Sequence, residues 1–159
     1  MTPSPIGPTA TAPANGGIIG KFLYQNRPTN AGIAVSLLVN SQPVVTVNTA
    51  ADGSYAFTDV PPGGYMIQAS APGHLTILHE VTVLAGPAID LGSHTLPAGD
   101  TDGNGAVDIS DAGLIGANFG IDVPPAPAAA DLNGDAKIDI RDLVLVGSNF
   151  GTVGPIVNP

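Results

Sequence analysis

A duplicated segment near the C-terminus constrains the fold of this chain more than any other feature. DTDGNGAVDISDAGLIGANFG (Asp100–Gly120) aligns with DLNGDAKIDIRDLVLVGSNFG (Asp131–Gly151) at an offset of 31 residues, and 10 of the 21 aligned positions are identical. A Pro/Ala connector, Ile121–Ala130, separates the two copies. Duplication of this kind marks two copies of one small structural unit.

The first twelve residues of each copy have the ligand spacing of an EF-hand-type calcium loop. Such a loop supplies oxygen ligands from positions 1, 3, 5, 7, 9 and 12, with a backbone carbonyl at position 7. Hard oxygen ligands in this number suit Ca²⁺ better than Mg²⁺. The predicted ligands are Asp100, Asp102, Asn104, Ala106, Asp108 and Asp111 in the first loop, and Asp131, Asn133, Asp135, Lys137, Asp139 and Asp142 in the second.

Two positions depart from the standard loop. Position 12 is Asp in both copies, where the EF-hand has Glu, so the shorter side chain must approach the ion more closely. Position 6 is Gly105 in the first loop but Ala136 in the second. If that position is left-handed, Ala costs roughly 1–2 kcal/mol relative to Gly. Val107 and Ile138, at position 8, are expected to pair the two loops through a short β-bridge.

Asp/Asn/Gly-rich loops are also common as solvated turns, and one such loop would be weak support for a metal site. Two loops in the same ligand register, each followed by an apolar segment, favour two calcium sites. The apolar residues expected to form the core of this region are Val107, Leu114, Ile115, Phe119, Ile138, Leu143, Leu145, Val146 and Phe150.

The region before the repeat has the pattern of an all-β domain. Short runs rich in Val, Ile and aromatic residues alternate with Gly/Pro turns, and Asp52–Gly53 is typical of a hairpin. This spacing predicts a seven-stranded β-sandwich. The predicted strands are Gly17–Tyr24, Ile33–Val39, Pro43–Asn48, Ser54–Thr58, Tyr65–Ser70, Leu75–Leu84 and Ala88–Leu96.

Composition excludes several classes of function. Thirteen acidic residues face four basic ones, and 8 of the 13 lie in the two loops, so phosphate backbones would be repelled and nucleic acid is not expected as a partner. No apolar run is long enough to span a bilayer. The chain has no Cys, which excludes disulfides and thiolate metal sites.

The sandwich region resembles the carboxypeptidase regulatory-like domain, a transthyretin-like β-sandwich. The resemblance rests on DGSYAFTDVPPGGYMIQASAPGH, Asp52–His74, and extends over most of Gly16–Pro97. These motifs are turn and core residues, so they indicate a fold. Membership of this family implies a non-catalytic spacer or adhesive module.

The repeat, over Gly99–Gly151, resembles a dockerin, a duplicated calcium-binding module built from loop-plus-helix units. The resemblance rests on Asp at position 12 and on the repeated Asn-Phe-Gly endings. It implies docking onto a cohesin through loop positions 10 and 11. Those positions are Ile109, Ser110, Ile140 and Arg141, not the matched Ser/Thr pairs of many cellulosomal dockerins.

No sequence motif indicates catalysis. The chain has neither a Gly-rich phosphate loop nor a G-x-S-x-G nucleophile motif. His74, His79 and His94 lack zinc-ligand spacing and are expected at the surface or at strand ends. A crosslink of Lys21 near Glu80 and Asp90 is an open alternative to three ordinary solvent-facing charges.

Together these features predict a mainly β, non-enzymatic chain with a small α module. Residues 1–15 are expected to be a Pro/Thr-rich linker or tail, 16–98 the β-sandwich, 99–153 the calcium module, and 154–159 a C-terminal tail. The absence of a signal peptide leads us to expect a piece of a longer secreted protein; a native leaderless start is the alternative. The expected function is calcium-dependent docking onto a cohesin-like protein or a copy of itself, at a cell surface or outside the cell. The alternative is a subunit of an extracellular fibre that holds the N-terminal tail of its neighbour.

Overall fold

The computed structural model describes residues 14–158, so most of the predicted tail, Met1–Asn15, lies outside the described residues. The described residues form nine strands, rather than the seven predicted, and two helices. The elements are β1 (Gly16–Tyr24), β2 (Ala34–Val39), β3 (Gln42–Asn48), β4 (Ser54–Val60), β5 (Gly63–Ala71), β6 (Gly73–Val83), β7 (Ala88–Leu96), β8 (Ala98–Asp100), α1 (Ile109–Ala117), α2 (Ile140–Asn149) and β9 (Ile156–Asn158).

Two sheets face each other across the larger core. The three-stranded sheet has the order β4-β1-β7, and the other sheet has the order β3-β2-β5-β6-β8, with β9 also paired to β6. Alternation along β1 explains the layering, because Ile18 and Phe22 are buried while Lys21 faces solvent. The buried residues of this core are Ile18, Phe22, Ile33, Val35, Leu37, Tyr55, Phe57, Val60, Ile67, Ala69, Ile77, Val81, Val83 and Leu96.

The turn at Asp52–Gly53 joins two sheets and does not close a hairpin. Gly53 has a φ of 84°, which L side chains rarely adopt, and its N–H donates to the carbonyl of Ala50 at 2.9 Å. The strands on either side of this turn, β3 and β4, belong to different sheets. The hairpin prediction is therefore wrong, because local turn chemistry fixes the reversal but not the strand pairing.

Strand β6 connects the sandwich to the C-terminal region. Its first residues pair with β8, where Gly73 faces Asp100, and its centre pairs in parallel with β9, where Ile77 faces Ile156. The predicted C-terminal tail, residues 154–159, thus contains a strand. Both ends of the segment that carries the two loops are attached to the same strand.

A second core lies beneath the two helices. It contains Leu75, Ala98, Val107, Ile115, Ala126, Ala130, Leu132, Ile138, Leu145 and Val146. Two of these residues, Leu75 and Ala98, come from strands of the sandwich region. Leu114, Phe119 and Phe150 were expected in this core but are exposed. Leu114 lies on the solvent-facing side of α1, whereas Phe119 and Phe150 follow the ends of α1 and α2.

The two loops do not pair with each other, contrary to the prediction for Val107 and Ile138. Val107 instead exchanges backbone hydrogen bonds with the segment after α2, donating to Thr152 and accepting from Gly151. Ile138 does the same with Gly120 and Ile121 after α1. Each loop is thereby tied to the helix end of the other repeat, and both position-8 side chains are fully buried.

Two of the histidines are more buried than expected, whereas Lys21 is an ordinary solvent-facing charge. His79 is buried on the core-facing side of β6, together with Ile77 and Val81. His74 is buried at the start of β6, where the Tyr24 ring lies 4.9 Å from its own. The ring of His79 lies 5.1 Å from that of His94. Lys21 forms an exposed ion pair with Asp52 at 2.7 Å rather than with Glu80 or Asp90. Neither helix between residues 14 and 158 has the length and apolarity to cross a membrane.

Candidate metal-binding loops

Each loop ends in a helix cap that fixes its last ligand position. Asp108 precedes α1, and its carboxylate accepts from the N–H of Ser110 at 2.7 Å. Asp111 returns the bond by accepting from the N–H of Asp108 at 2.8 Å, which completes a capping box. Asp139 and Asp142 repeat this arrangement at the start of α2. Positions 9 and 12 therefore shape the helix start as well as the proposed ligand set.

In the first loop the structure brings three carboxylates together. Asp100, Asp102 and Asp111 each present an oxygen within 4.8 Å of the others. Asp111 is fully buried, and its Oδ1 accepts from the N–H groups of Thr101 at 2.7 Å and Asp102 at 3.2 Å. Because these N–H groups and the cap hold Asp111 in place, the loop presents a prearranged acidic cluster.

The electrostatics of Asp100 favour a bound cation. Its Oδ1 is buried without a hydrogen-bond partner, while its Oδ2 accepts from the N–H of Gly105 at 3.1 Å. Burial raises the pKa of Asp100, and the nearby carboxylates of Asp111 and Asp102 raise it further. A divalent cation would give the buried oxygen a partner and offset the repulsion. The residues of the first loop therefore fit a metal ion.

The remaining positions of the first loop are engaged with their neighbours. The Asn104 side chain donates to Asp102 at 3.0 Å and accepts from the N–H of Ala106 at 2.8 Å. Asp108 caps α1, and Ala106 forms an isolated β-bridge with Val153. Asp108 is therefore not one of the three clustered carboxylates, whereas Asn104 contacts the cluster through Asp102.

The second loop has the same backbone but a different arrangement of carboxylates. Asp131 accepts from the N–H groups of Gly134 at 2.8 Å, Asp135 at 3.1 Å and Ala136 at 3.0 Å. Asp135 forms an ion pair with Arg141 at 3.0 Å and accepts a hydrogen bond from the Asn133 side chain. Across residues 14–158, a cluster of three acidic groups within metal-binding range occurs only at the first loop.

Position 12 and position 6 of the second loop match the first. Asp142 is fully buried and accepts from the N–H groups of Leu132 and Asn133, and burial raises its pKa. Ala136 has a φ of 67°, close to the 85° of Gly105, so the left-handed backbone is present in both loops. The carbonyl of Lys137 was expected to be a ligand; in the structure the Lys137 backbone forms an isolated antiparallel β-bridge with Asp122.

Two residues of the sandwich contact the C-terminal region, Arg27 at the second loop and Gln25 at β8 and α2, and sequence spacing gave no indication of them. The guanidinium of Arg27 donates to the backbone carbonyls of Asp131 and Leu132. The side chain of Gln25 accepts from the N–H of Ala98 at 2.9 Å and from Asn149 at 2.6 Å. The only available clue was that Arg27 is one of four basic residues in a strongly acidic chain.

The four residues predicted to contact a partner lie on the surface. Ile109 is 73% exposed and Ile140 is 57% exposed, at equivalent positions in the first turns of α1 and α2. Ser110 and Arg141, the next residue in each copy, are exposed as well. Bulky apolar side chains at two related surface positions are available for contact.

Comparison with known families matches residues 24–97 to the carboxypeptidase regulatory-like domain and residues 98–150 to the dockerin type I domain. No curated protein matches the chain. A chain in the crystal structure of a C-terminal interface mutant of the type II cohesin–X–dockerin complex from Acetivibrio cellulolyticus has a similar fold. Its TM-score is 0.70 at 22% identity, over 87% of this chain and 97% of that chain.

A chain from an N-terminal interface mutant of the same complex gives a TM-score of 0.65 at 21% identity, over 88% of this chain and 97% of that chain. At these identities the likeness shows the fold, and it extends across both cores. Together with the family matches, it identifies both regions: the chain joins a carboxypeptidase regulatory-like domain at residues 24–97 to a dockerin type I domain at residues 98–150.

Proposed function

We propose that this chain is a non-catalytic, extracellular docking module that needs calcium to hold its binding surface. The single observation that carries the proposal is the first loop, where a buried, unpartnered oxygen of Asp100 lies beside two further carboxylates. We assign residues 16–98 to the sandwich and 99–153 to the dockerin domain. Dockerin type I membership and the cohesin complexes with a similar fold support cohesin-like protein as the partner.

Two calcium ions would occupy the two loops. The proposed ligands are the twelve residues at positions 1, 3, 5, 7, 9 and 12. The first loop needs little rearrangement, because Asp100, Asp102 and Asp111 already converge. In the second loop the Asp131 carboxylate is turned toward backbone N–H groups and Asp135 toward Arg141. When bound, calcium neutralises the clustered carboxylates and links the loop to the start of its helix.

Calcium dependence is tested by titration of the metal-free protein followed by nuclear magnetic resonance. The amides of Gly105 and Ala136, at position 6, report the two loops separately. Both should shift on addition of calcium, and EDTA should lower the melting temperature of the dockerin domain. At a hundredfold excess over Kd, one bound ion adds about 2.7 kcal/mol of stability. A dockerin domain whose melting is unchanged by EDTA would contradict the proposal.

The docking surface is proposed at the first turns of the two helices. Ile109 and Ile140 are exposed there and are related by the repeat, and Ser110 and Arg141 follow them. The caps Asp108 and Asp139 fix the helix starts, so ordering of the loops by calcium would also order this surface. Binding would therefore depend on calcium even though the ion does not touch the partner.

The test is the double variant Ile109→Asp/Ile140→Asp, assayed for binding to a type II cohesin by calorimetry. Leu84→Asp is a matched control, because Leu84 is an exposed apolar residue on the sandwich. The double variant should lose binding and keep its calcium response, while the control binds as wild type does. Equal binding by the double variant and wild type would place the contact elsewhere.

A second candidate function, a fibre subunit, is favoured by one feature of the sandwich. Strand β3 is an edge strand, and a cavity of about 550 Å³ opens between it and β4, lined by apolar residues that include Val44, Val45 and Val60. Edge strands of this kind accept an added strand from another chain. The proposed occupant is the N-terminal segment, residues 1–13, of a neighbouring copy.

Electron microscopy distinguishes the fibre from the docking module. The full chain should form filaments, and deletion of residues 1–13 should leave discrete particles. Val44→Lys, at the edge strand, should have the same effect with the N-terminal segment intact. Discrete particles of the full chain at high concentration would exclude the fibre and leave docking as the function.

A further inference from the structure

Arg27 belongs to the sandwich, in the turn after β1, but its side chain holds the second loop of the dockerin domain. Its Nε donates to the carbonyl of Leu132 at 2.9 Å, and its Nη2 donates to the carbonyl of Asp131 at 2.6 Å. A planar guanidinium can serve two neighbouring acceptors in a fixed fork, which a lysine ammonium does less well.

The two peptide groups bound by Arg27 are the ones that hold Asp142. The carbonyl of Asp131 and the N–H of Leu132 belong to one peptide group, and that N–H donates to Asp142 Oδ1 at 2.8 Å. The next peptide group likewise joins the carbonyl of Leu132 to the N–H of Asn133, which donates to the same oxygen at 3.2 Å. Because a peptide group is planar, fixing its carbonyl also fixes the direction of its N–H.

Arg27 is itself held in place by its surroundings. The guanidinium carbon lies 4.5 Å from the ring centroid of Tyr24, within the range of a cation–π contact. Its aliphatic stem lies against Gly134 of the loop, where an added Cβ would meet Arg27 Cγ and Cδ at 3.5 Å. A side chain restrained at both its head and its stem can position what it binds.

The first loop achieves the same result by other contacts. Thr101 and Asp102 donate their N–H groups to Asp111, and the hydroxyl of Thr101 donates to it as well. The chain just before them is fixed by the pairing of β8 with β6. The second loop has Leu132 at the position of Thr101, so it lacks the hydroxyl and has Arg27 instead.

We propose that Arg27 is a positioning residue for the second calcium site, orienting the two peptide groups that align Asp142 and so raising the calcium affinity of that loop. This inference rests on the proposed calcium function. A positive charge near the loop would by itself weaken calcium binding, so positioning and charge repulsion predict opposite effects of removing Arg27. Residues that orient metal ligands change affinity by roughly 10- to 100-fold when replaced.

The experiment is calcium titration of the full chain and of Arg27→Gln and Arg27→Lys, followed at the amides of Gly105 and Ala136. Arg27→Gln should lower the calcium affinity of the second loop about tenfold, and Arg27→Lys should lower it less. The calcium affinity of the first loop should stay within about twofold of wild type in both variants. Arg141→Gln is the matched control. Arg141 forms an ion pair with the Asp135 carboxylate, so replacing Arg141 should raise the calcium affinity of the second loop.

Hydrogen exchange in EDTA gives a second readout that does not need the metal. In Arg27→Gln the amides of Leu132 and Asn133 should exchange faster, whereas those of Thr101 and Asp102 should not change. Unchanged or tighter calcium binding by Arg27→Gln, with normal binding in wild type, would overturn the role of Arg27 alone. A wild-type second loop that does not respond to calcium would overturn the second site and, with it, the effect of Arg27 on affinity.

Discussion

The two loops of the dockerin domain share a ligand spacing and a backbone, but their carboxylates are arranged differently. In the first loop the buried Asp100 lies beside Asp102 and Asp111 with one oxygen unpartnered. In the second loop the equivalent Asp131 accepts three backbone N–H groups. The ligand residues differ too, because Asn133 stands where the first loop has Asp102 and Asp135 where it has Asn104. The two loops therefore share a backbone, whereas the electrostatics of each depend on its own residues.

The largest expected effect comes from the two position-12 residues. Asp111→Asn and Asp142→Asn each replace a fully buried acceptor of several N–H groups with an amide that must place its own donors there. Each variant should lose calcium at its own loop and destabilise the fold by about 3 kcal/mol. Urea unfolding in calcium, with the Gly105 and Ala136 amides as reporters, measures both effects. Loss of both sites in either variant would mean that the loops act as one unit.

A second prediction concerns acid, which should destabilise the fold through His74. Burial lowers the pKa of His74 to about 4, and this residue lies on β6 beside the strand that begins the first loop. The unfolded chain takes up a proton near pH 6.5 and the folded chain does not, so stability present above pH 6.5 is lost as the pH falls toward 4. The loss is roughly 3 kcal/mol.

The measurement compares wild type with His74→Gln by urea unfolding between pH 7 and pH 4.5, in saturating calcium. The variant should lose less stability over this range, although it is less stable at pH 7. Parallel pH profiles for the two proteins would show that His74 is not the group responsible.

Replacing the position-1 residues, Asp100 and Asp131, should change the stability of the metal-free protein in opposite directions. Asp100→Asn removes a desolvated charge that is repelled by its neighbours, so it should stabilise the metal-free protein by about 1 kcal/mol. Asp131→Asn weakens an acceptor of three N–H groups and should destabilise it by about 1–2 kcal/mol. Thermal unfolding in EDTA tests the pair. A change of the same sign in both variants would remove the distinction between the loops.

The smallest effect is expected at position 6, where both loops have a left-handed backbone. Ala136→Gly should stabilise the protein by about 1 kcal/mol, and Gly105→Ala should destabilise it by a similar amount. Calorimetric titration should also show tighter calcium binding at the second loop of Ala136→Gly. Unchanged stability and affinity in this variant would mean that Ala is tolerated there without strain.

Much of the sandwich was predictable because alternation and turn residues are local properties. The seven predicted strands all occur, with ends shifted by at most a few residues. Strands β8 and β9 were not predictable, because three residues show no alternation and their pairing depends on the distant strand β6. The exposure of Leu114, Phe119 and Phe150 was missed because apolar spacing reveals neither which face of a short helix finds a partner nor where the helix ends.

The candidate site also has features that the sequence predicts and features that it does not. Ligand spacing placed all twelve positions in two loops, but the contact of Arg27 with the second loop joins residues more than 100 positions apart. Burial of His74 likewise depends on Tyr24 packing over its ring at 4.9 Å. The Arg27 contact follows from the packing of the sandwich on the dockerin domain, which neither repeat encodes alone.

The attachment of β8 and β9 to one strand has a consequence for the order of folding. Everything between them, including both helices, forms a loop whose two ends meet only when β6 is in place. Closing a loop of this length costs chain entropy, and the pairing of β8 and β9 with β6 offsets that cost. Because the second core includes Leu75 and Ala98, we expect it to be completed after the first, with the sandwich as a template for the domain that follows it.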